Sequence, residues 1–148
     1  MIDVNSLFIF LKKNKIRFFS GVPDSILKDT KEIFEKMSDK DHVVAVNEGI
    51  ATSLCIGNHL ATGNLPCVYL QNSGLGNAIN PLISIAHKKV YSIPLLLLIG
   101  WRGAPGIKDE PQHEAKGKIT KKLLNNLDIK YFELSKNTDF AGLKKLIN

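Results

Sequence analysis

Residues 42–80 place the tightest constraint on the fold, because they combine strand, helix and turn patterns in one continuous stretch. The apolar run 43–46 predicts a buried strand, and Glu48 follows it after one residue. Helical spacing then continues to Gly63, which is placed to form a left-handed cap, and predicts a buried face made of Ile50, Leu54, Gly57 and Ala61. A second apolar run and a glycine-rich turn at 72–77 complete a strand-helix-strand unit, which is typical of a parallel sheet.

The flanking segments continue the alternation of helices and strands. Before this stretch, the predicted elements are a helix at 3–13 capped by Asp3, a strand at 16–20, and a helix opened by Asp24 or Ser25 that buries Ile26, Ile33, Phe34 and Met37. After it, they are a helix at 77–89, a central strand at 95–99, a loop at 101–118, a short helix capped by Thr120, a fifth strand at 129–134 and a final helix opened by Thr138 or Asp139. This pattern predicts a doubly wound α/β domain, with a mostly parallel sheet and helices on both faces.

Length and composition exclude several classes of function. The chain has 148 residues, enough for one domain, and its charge of +6 comes from scattered lysines without interleaved aromatic residues, which argues against nucleic-acid binding. The longest apolar run, 93–100, is far below the roughly 20 residues that span a bilayer. The N-terminus shows no signal peptide, so we expect a cytoplasmic protein without membrane contact. Cys55 and Cys67 are expected to be buried thiols rather than a disulfide.

Two interpretations of Glu48 remain open from the residues alone. A carboxylate at the start of a helix can simply stabilise that helix through its dipole. The same position, at the carboxyl end of a strand, faces the crevice in which open α/β sheets bind ligands.

The turn after the second strand contains Gly74 and Gly76, as dinucleotide-binding turns do. However, Asn77 begins the segment where the third glycine is expected, and no acid follows about 20 residues later to bind a ribose. A nucleotide-binding module and a non-catalytic regulatory subunit are therefore kept as alternatives from other functional classes.

Four sequence motifs together carry a family resemblance. They are FSGVPDS at 19–25, NEGIA at 47–51, NSGLGN at 72–77 and GWRGAPGIKDEPQH at 100–113. With these motifs the chain resembles the pyrimidine-binding domain of thiamine-diphosphate-dependent decarboxylases. Within that family it is most similar to the phosphonopyruvate decarboxylases and to the alpha subunits of sulfopyruvate decarboxylases. The resemblance extends over nearly the whole chain.

The resemblance implies a role for each motif. In this family the glutamate at the position of Glu48 is catalytic and hydrogen-bonds N1′ of the cofactor's aminopyrimidine ring, and the implied cofactor-binding residues are Glu48, Asn72, Ser73, Gly74 and Asn77. The implied substrate-binding residues are Asp24, Ser25, Arg102, Lys108, Gln112 and His113. The implied reaction is the decarboxylation of 3-phosphonopyruvate, a small anionic 2-keto acid, to phosphonoacetaldehyde and carbon dioxide. Sulfopyruvate is the alternative substrate. An arginine fork and a lysine charge both suit a dianionic head group.

One part of the family pattern is missing from this sequence. The family binds the cofactor's diphosphate and Mg²⁺ through a Gly-Asp-Gly motif in a second domain, and the chain contains no such motif. Its four histidines are dispersed, so we predict no metal ligands in this chain. We therefore expect residues 1–148 to be a pyrimidine-binding domain that lacks its final strand and has no diphosphate-binding domain. It would work in a homo- or hetero-oligomer with such a domain or a beta subunit, and would expose an apolar face at Leu143, Leu146 and Ile147.

Overall fold

A four-stranded parallel sheet forms the centre of the computed structural model, which describes residues 3–135 and 140–147. Its strands are β1 (Phe19–Gly21), β2 (His42–Val44), β3 (Cys67–Gln71) and β4 (Leu96–Gly100), and they lie in the order β2-β1-β3-β4. The chain adds β2 on one side of β1 and β3 on the other. This reversal confirms the predicted doubly wound α/β fold.

Helices cover both faces of the sheet. They are α1 (Val4–Lys13), α2 (Lys31–Glu35), α3 (Glu48–Thr62), α4 (Leu75–Pro81), α5 (Pro111–Asn126) and α6 (Ala141–Ile147). The core on one face combines side chains of α1, α2, α6 and the sheet: Leu7, Phe8, Leu11, Phe19, Phe34, Tyr69 and Leu143. The core on the other face combines side chains of α3, α4, α5 and the sheet: Ala51, Cys55, Val68, Leu70, Leu75 and Leu124. Strand β3 contributes to both cores because its successive side chains point to opposite faces. None of the helices in the described ranges is long and apolar enough to cross a membrane.

Both outer strands differ from the sequence prediction. The run 43–46 was predicted to be buried, but β2 pairs only with β1 among the described residues, and Val46 is 85% exposed. The apolar strand predicted to be central is β4, which lies at the opposite edge. A continuous apolar run therefore marked the strands correctly but not their order, since that order depends on pairing between distant segments.

Helix α3 presents a different face to the sheet than its spacing predicted. Ile50 and Leu54 are 44% and 38% exposed, and Gly57 and Ala61 are exposed as well. Ala51 and Cys55, one residue further along, are buried on the sheet, which corresponds to a rotation of about 100° around the helix axis. The prediction failed because α3 carries apolar residues on two adjacent stripes, and helical spacing alone does not select between them. The left-handed cap predicted at Gly63 is confirmed, with φ of 70°.

Several element boundaries also moved. The predicted strand 16–20 became β1 at Phe19–Gly21, and neither Asp24 nor Ser25 caps the next helix, which begins as a 3₁₀ turn at Lys28–Thr30. That helix buries Phe34 but leaves Ile26 exposed. The helix predicted at 77–89 is α4, which begins two residues earlier, at Leu75, and is followed by a π-helical segment at Leu82–Ala86. Helix α1 matches its prediction, with Asp3 accepting a hydrogen bond from the Asn5 N–H at 3.1 Å.

The C-terminal third contains the largest differences. The loop predicted at 101–118 ends at Glu110, because Pro111 favours the first position of a helix, and α5 therefore includes Gln112, His113 and Thr120. Residues 129–134, predicted as a fifth strand, have no strand pairing. Thr138 and Asp139, the predicted start of the last helix, lie outside the described residues. The apolar face predicted to be uncovered is instead packed: Leu143 is buried, and Leu146 and Ile147 contact the core beside α1.

Candidate active site

The start of α3 positions Glu48 against the turn at 72–77 rather than at a helix cap. Asn47 occupies the cap position and accepts a hydrogen bond from the Ile50 N–H at 2.9 Å. Glu48 is only 9% exposed, and its Oε2 accepts a hydrogen bond from Asn77 Nδ2 at 2.8 Å. Because Asn47 already caps the helix, the carboxylate of Glu48 is available for another purpose.

Two glycines allow α3 and the turn at 72–77 to approach closely around this carboxylate. A Cβ atom on Gly74 would overlap Oε1 and Cγ of Glu48, so a larger residue there would displace the glutamate. A Cβ atom on Gly49 would lie 2.8 Å from the carbonyl oxygen of Asn77. Glycine is needed at position 74 because the side chain of Glu48 leaves no room for a Cβ atom. The backbone does not require glycine there, since φ at Gly74 is not positive.

Asn72, predicted to bind the cofactor, uses its side chain to hold the loop after β4. Its Nδ2 donates to the Arg102 carbonyl at 3.0 Å and to Thr120 Oγ1 at 2.9 Å. Its Oδ1 accepts from the Arg102 N–H at 3.1 Å. Asn72 is 5% exposed, and both of its amide hydrogens are used in these hydrogen bonds. These three hydrogen bonds thus join Asn72 to Arg102 and α5.

Asp24 lies beside the carboxyl end of β3. Its Oδ1 accepts a hydrogen bond from Gln71 Nε2 at 2.7 Å, and Gln71 Oε1 accepts one from Ser73 Oγ, also at 2.7 Å. The second oxygen of Asp24 is buried against Gly100. Sequence reasoning missed Gln71, although its position at the end of a buried strand and just before the glycine turn was a usable signal.

Arg102, predicted to bind an anionic substrate, is paired with a carboxylate of its own loop. Its Nε and Nη2 donate to the two oxygens of Asp109 at 2.7 and 2.5 Å, and its Nη1 donates to Ser25 Oγ at 3.2 Å. The hydrogen bond from Arg102 is the main reason that the pKa of Asp109 is held well below its usual range, and the same pair raises the pKa of Arg102. Asp109 also accepts from the backbone N–H of Gly103 at 3.0 Å. Sequence reasoning included Asp109 only as part of a motif and did not assign it a role.

The remaining predicted substrate residues lie further along this loop and on α5. Lys108 is exposed and borders a groove of about 380 Å³ that is also lined by Glu114 and Lys118. Gln112 is exposed in the first turn of α5. His113 is half-buried, and its Nδ1 has no hydrogen-bond partner among the described residues.

The turn at 71–77 connects the two groups of side chains. At one end Gln71 holds Asp24, and at the other Asn77 holds Glu48. Through Arg102 and Ser25, the first group also includes the loop after β4. Across residues 3–135 and 140–147, no group of three His, Cys, Asp or Glu side chains could hold a metal ion.

Comparison with known proteins shows to which family the chain belongs. The family model described as "Thiamine pyrophosphate enzyme, N-terminal TPP binding domain" matches residues 4–125. The chain belongs to the thiamine pyrophosphate enzymes. Thiamine pyrophosphate and thiamine diphosphate are two names for one cofactor, so the chain is a domain for binding thiamine diphosphate.

Two thiamine-enzyme relatives show how the chain compares in length. Phosphonopyruvate decarboxylase of Streptomyces viridochromogenes is 41% identical over 122 residues, which are 81% of this chain and 30% of that protein. Sulfopyruvate decarboxylase subunit alpha of Methanococcus maripaludis is 36% identical over 117 residues, which are 79% of this chain and 68% of that subunit. The chain therefore spans less than a third of the first relative and about two-thirds of the second.

A solved thiamine enzyme supports the fold. Benzoylformate decarboxylase from Polynucleobacter necessarius superposes with a TM-score of 0.55 at 24% identity, over 69% of this chain and 19% of that one. At this level of identity the match supports the shared α/β architecture alone.

Proposed function

We propose that this chain is the pyrimidine-binding part of a thiamine-diphosphate-dependent decarboxylase that converts 3-phosphonopyruvate to phosphonoacetaldehyde and carbon dioxide. The observation that carries the proposal is the buried Glu48 carboxylate, held by Asn77 and packed against Gly74. Its motif lies within the family match, and the Streptomyces relative with 41% identity is named for this substrate.

The residues around Glu48 fit an aminopyrimidine ring. One carboxylate oxygen is occupied by Asn77, which leaves the other to bond a protonated ring nitrogen. When bound, thiamine diphosphate supplies the nucleophilic carbon and accepts the electrons released as carbon dioxide leaves. In the proposed mechanism Glu48 holds and exchanges the proton at N1′ of the ring, while Asn77 keeps the carboxylate in place. Gly74 leaves the space that this carboxylate needs.

The substrate is proposed to lie on the side of the crevice formed by the β1 and β4 loops. Asp24 and Ser25 lie there, as does the half-buried His113, whose backbone lies against Gly103 in the loop after β4. For the anionic head we favour Lys108 over Arg102, because the fork of Arg102 is already filled by Asp109. Gln112 directly precedes His113 in the first turn of α5 and is the remaining candidate for a contact with the substrate.

We propose that the diphosphate and Mg²⁺ are bound by a second domain or by a beta subunit. The Methanococcus relative is named as an alpha subunit, and the match covers 68% of that subunit. This supports an arrangement with a separate partner. Exposed apolar side chains at Ile50 and Leu54, on the helix that begins with Glu48, provide a surface for the partner in a homo- or hetero-oligomer. The cofactor would then be enclosed between the two parts.

We also propose a cytoplasmic location. The two cysteines are free thiols in the interior, and burial raises the pKa of Cys55 to about 12. Unreactive reduced cysteines suit a reducing compartment.

Assembly and turnover provide the direct test. The isolated chain is expected to bind thiamine diphosphate weakly in calorimetry, and co-expression with the partner coding segment should give a complex that decarboxylates phosphonopyruvate. A stable monomer that binds the cofactor tightly and turns over unaided would overturn the paired arrangement. Faster turnover of sulfopyruvate would favour the second candidate substrate, which the Methanococcus relative supports. Tight binding of a dinucleotide, without decarboxylation, would favour a nucleotide-binding module.

A further inference from the structure

The carboxylate of Asp24 is held in an unusual way. One oxygen accepts the Gln71 amide at 2.7 Å, whereas the other is buried without a hydrogen-bond partner among the described residues. A buried carboxylate oxygen without a partner is costly, so native proteins keep one where it serves a purpose. Gln71 therefore provides the hydrogen bond that fixes this side chain.

The two strand ends next to Asp24 form a complementary pair. Gln71 and Gly100 are register partners at the carboxyl ends of β3 and β4. Gln71 donates to one oxygen of the carboxylate. Gly100 has no side chain, which leaves room for the other oxygen, since a Cβ atom there would overlap Asp24 Oδ2. A side chain from the β1 exit turn is thus fixed by two strands that are distant from it in the sequence.

Ser73 supports the orientation of the Gln71 amide. The NH₂ group faces Asp24 because a carboxylate oxygen only accepts, and the Ser73 hydroxyl donates to Gln71 Oε1 at 2.7 Å. The amide presents a donor to the carboxylate without adding a charge. A glutamate at position 71 would place two carboxylates in contact instead.

We propose that Gln71 is a positioning residue that acts on decarboxylation through Asp24. This inference rests on the proposed function, in which Asp24 lies on the substrate side. Gln71 sets the orientation of the carboxylate, and Ser73 supports the orientation of Gln71.

A double-mutant cycle on the enzyme assembled with its diphosphate-binding partner tests the proposal. Gln71→Met keeps the side-chain length but removes the amide, and it should lower kcat by about tenfold or more while changing KM by less than about threefold. In an Asp24→Ala background the same change should lower kcat by less than about twofold, because its target is gone. An equal loss of kcat in both backgrounds would overturn the proposal, since Gln71 would then act independently of Asp24.

A measurement on the full chain without its partner separates this inference from the proposed function. In NMR spectra, the side-chain amide hydrogens of Gln71 should exchange with water slowly in the wild type and quickly in Asp24→Ala. Fast exchange in both proteins would refute the hydrogen-bonded arrangement. Slow exchange in the wild type, together with an assembled complex that decarboxylates no 2-keto acid, would keep the positioning contact and reject the decarboxylase function.

Discussion

Replacing Asn72 with alanine distinguishes a structural role of this residue from the cofactor-binding role that its motif implies. The substitution removes three hydrogen bonds at once, two to the backbone of Arg102 and one to Thr120. Asn72 is 5% exposed, so water cannot readily replace the lost partner. The loop after β4 would lose its attachment to the end of β3.

The expected magnitude follows from the number of bonds. Each neutral hydrogen bond contributes about 1 kcal/mol net, and a buried backbone group left without a partner costs about 1–3 kcal/mol. Asn72→Ala should therefore lower the free energy of unfolding by about 3 kcal/mol. For a domain of this size, that corresponds to a drop in Tm of about 6–12 °C. Thr120→Val removes one of the three bonds of Asn72, together with the bond from Thr120 Oγ1 to the Lys116 carbonyl, and should cost about 1–2 kcal/mol.

Urea unfolding of the isolated chain, followed by circular dichroism, measures these differences. Asn125→Ala is the matched control, because Asn125 is exposed on α5 and its replacement should change the unfolding free energy by less than about 0.5 kcal/mol. If Asn72→Ala is no more destabilising than Asn125→Ala, the structural role of Asn72 is refuted. A normal stability combined with weakened cofactor binding in the assembled enzyme would return Asn72 to the cofactor pocket.

Three further predictions concern charged residues. Glu48→Gln keeps the size and the contact with Asn77 but removes the acid, so hydrogen exchange at C2 of bound thiamine diphosphate should slow by about 10²- to 10⁴-fold, and an unchanged rate would contradict its role. Lys108→Met should raise KM for phosphonopyruvate more than KM for pyruvate. Arg102→Met should chiefly lower the stability of the fold, because it breaks the pair with Asp109. The reverse pattern would assign the phosphonate contact to Arg102. The pKa of Asp109 is lower in the folded than in the unfolded state, so its stabilising effect is present above about pH 3.9 and is lost as pH falls further. The unfolding free energies of wild type and Asp109→Asn should therefore converge below that pH, and a constant difference would contradict this.

Local patterns in the sequence were sufficient for the fold class, but they left two interpretations of Glu48 open. The apolar runs indicated strands β2, β3 and β4, and the strand predicted at 16–20 overlaps β1 at Phe19 and Ser20. Asp3 and Gly63 marked helix ends through local backbone chemistry. The position of Glu48 between a strand and a helix was compatible with a helix cap and with a ligand-facing acid, and only the structure shows that Asn47 is the cap.

Contacts between distant segments decided the rest. Spacing alone could not select which apolar stripe of α3 faces the sheet, and the packing of Ala51 and Cys55 against β3 made that choice. Nor could it reveal that Asp109 fills the fork of Arg102, or that Gln71, 47 residues from Asp24, holds its carboxylate. A sequence pattern specifies which residues can form hydrogen bonds or become buried. Which partners they find depends on how the strands and loops are brought together in the folded domain.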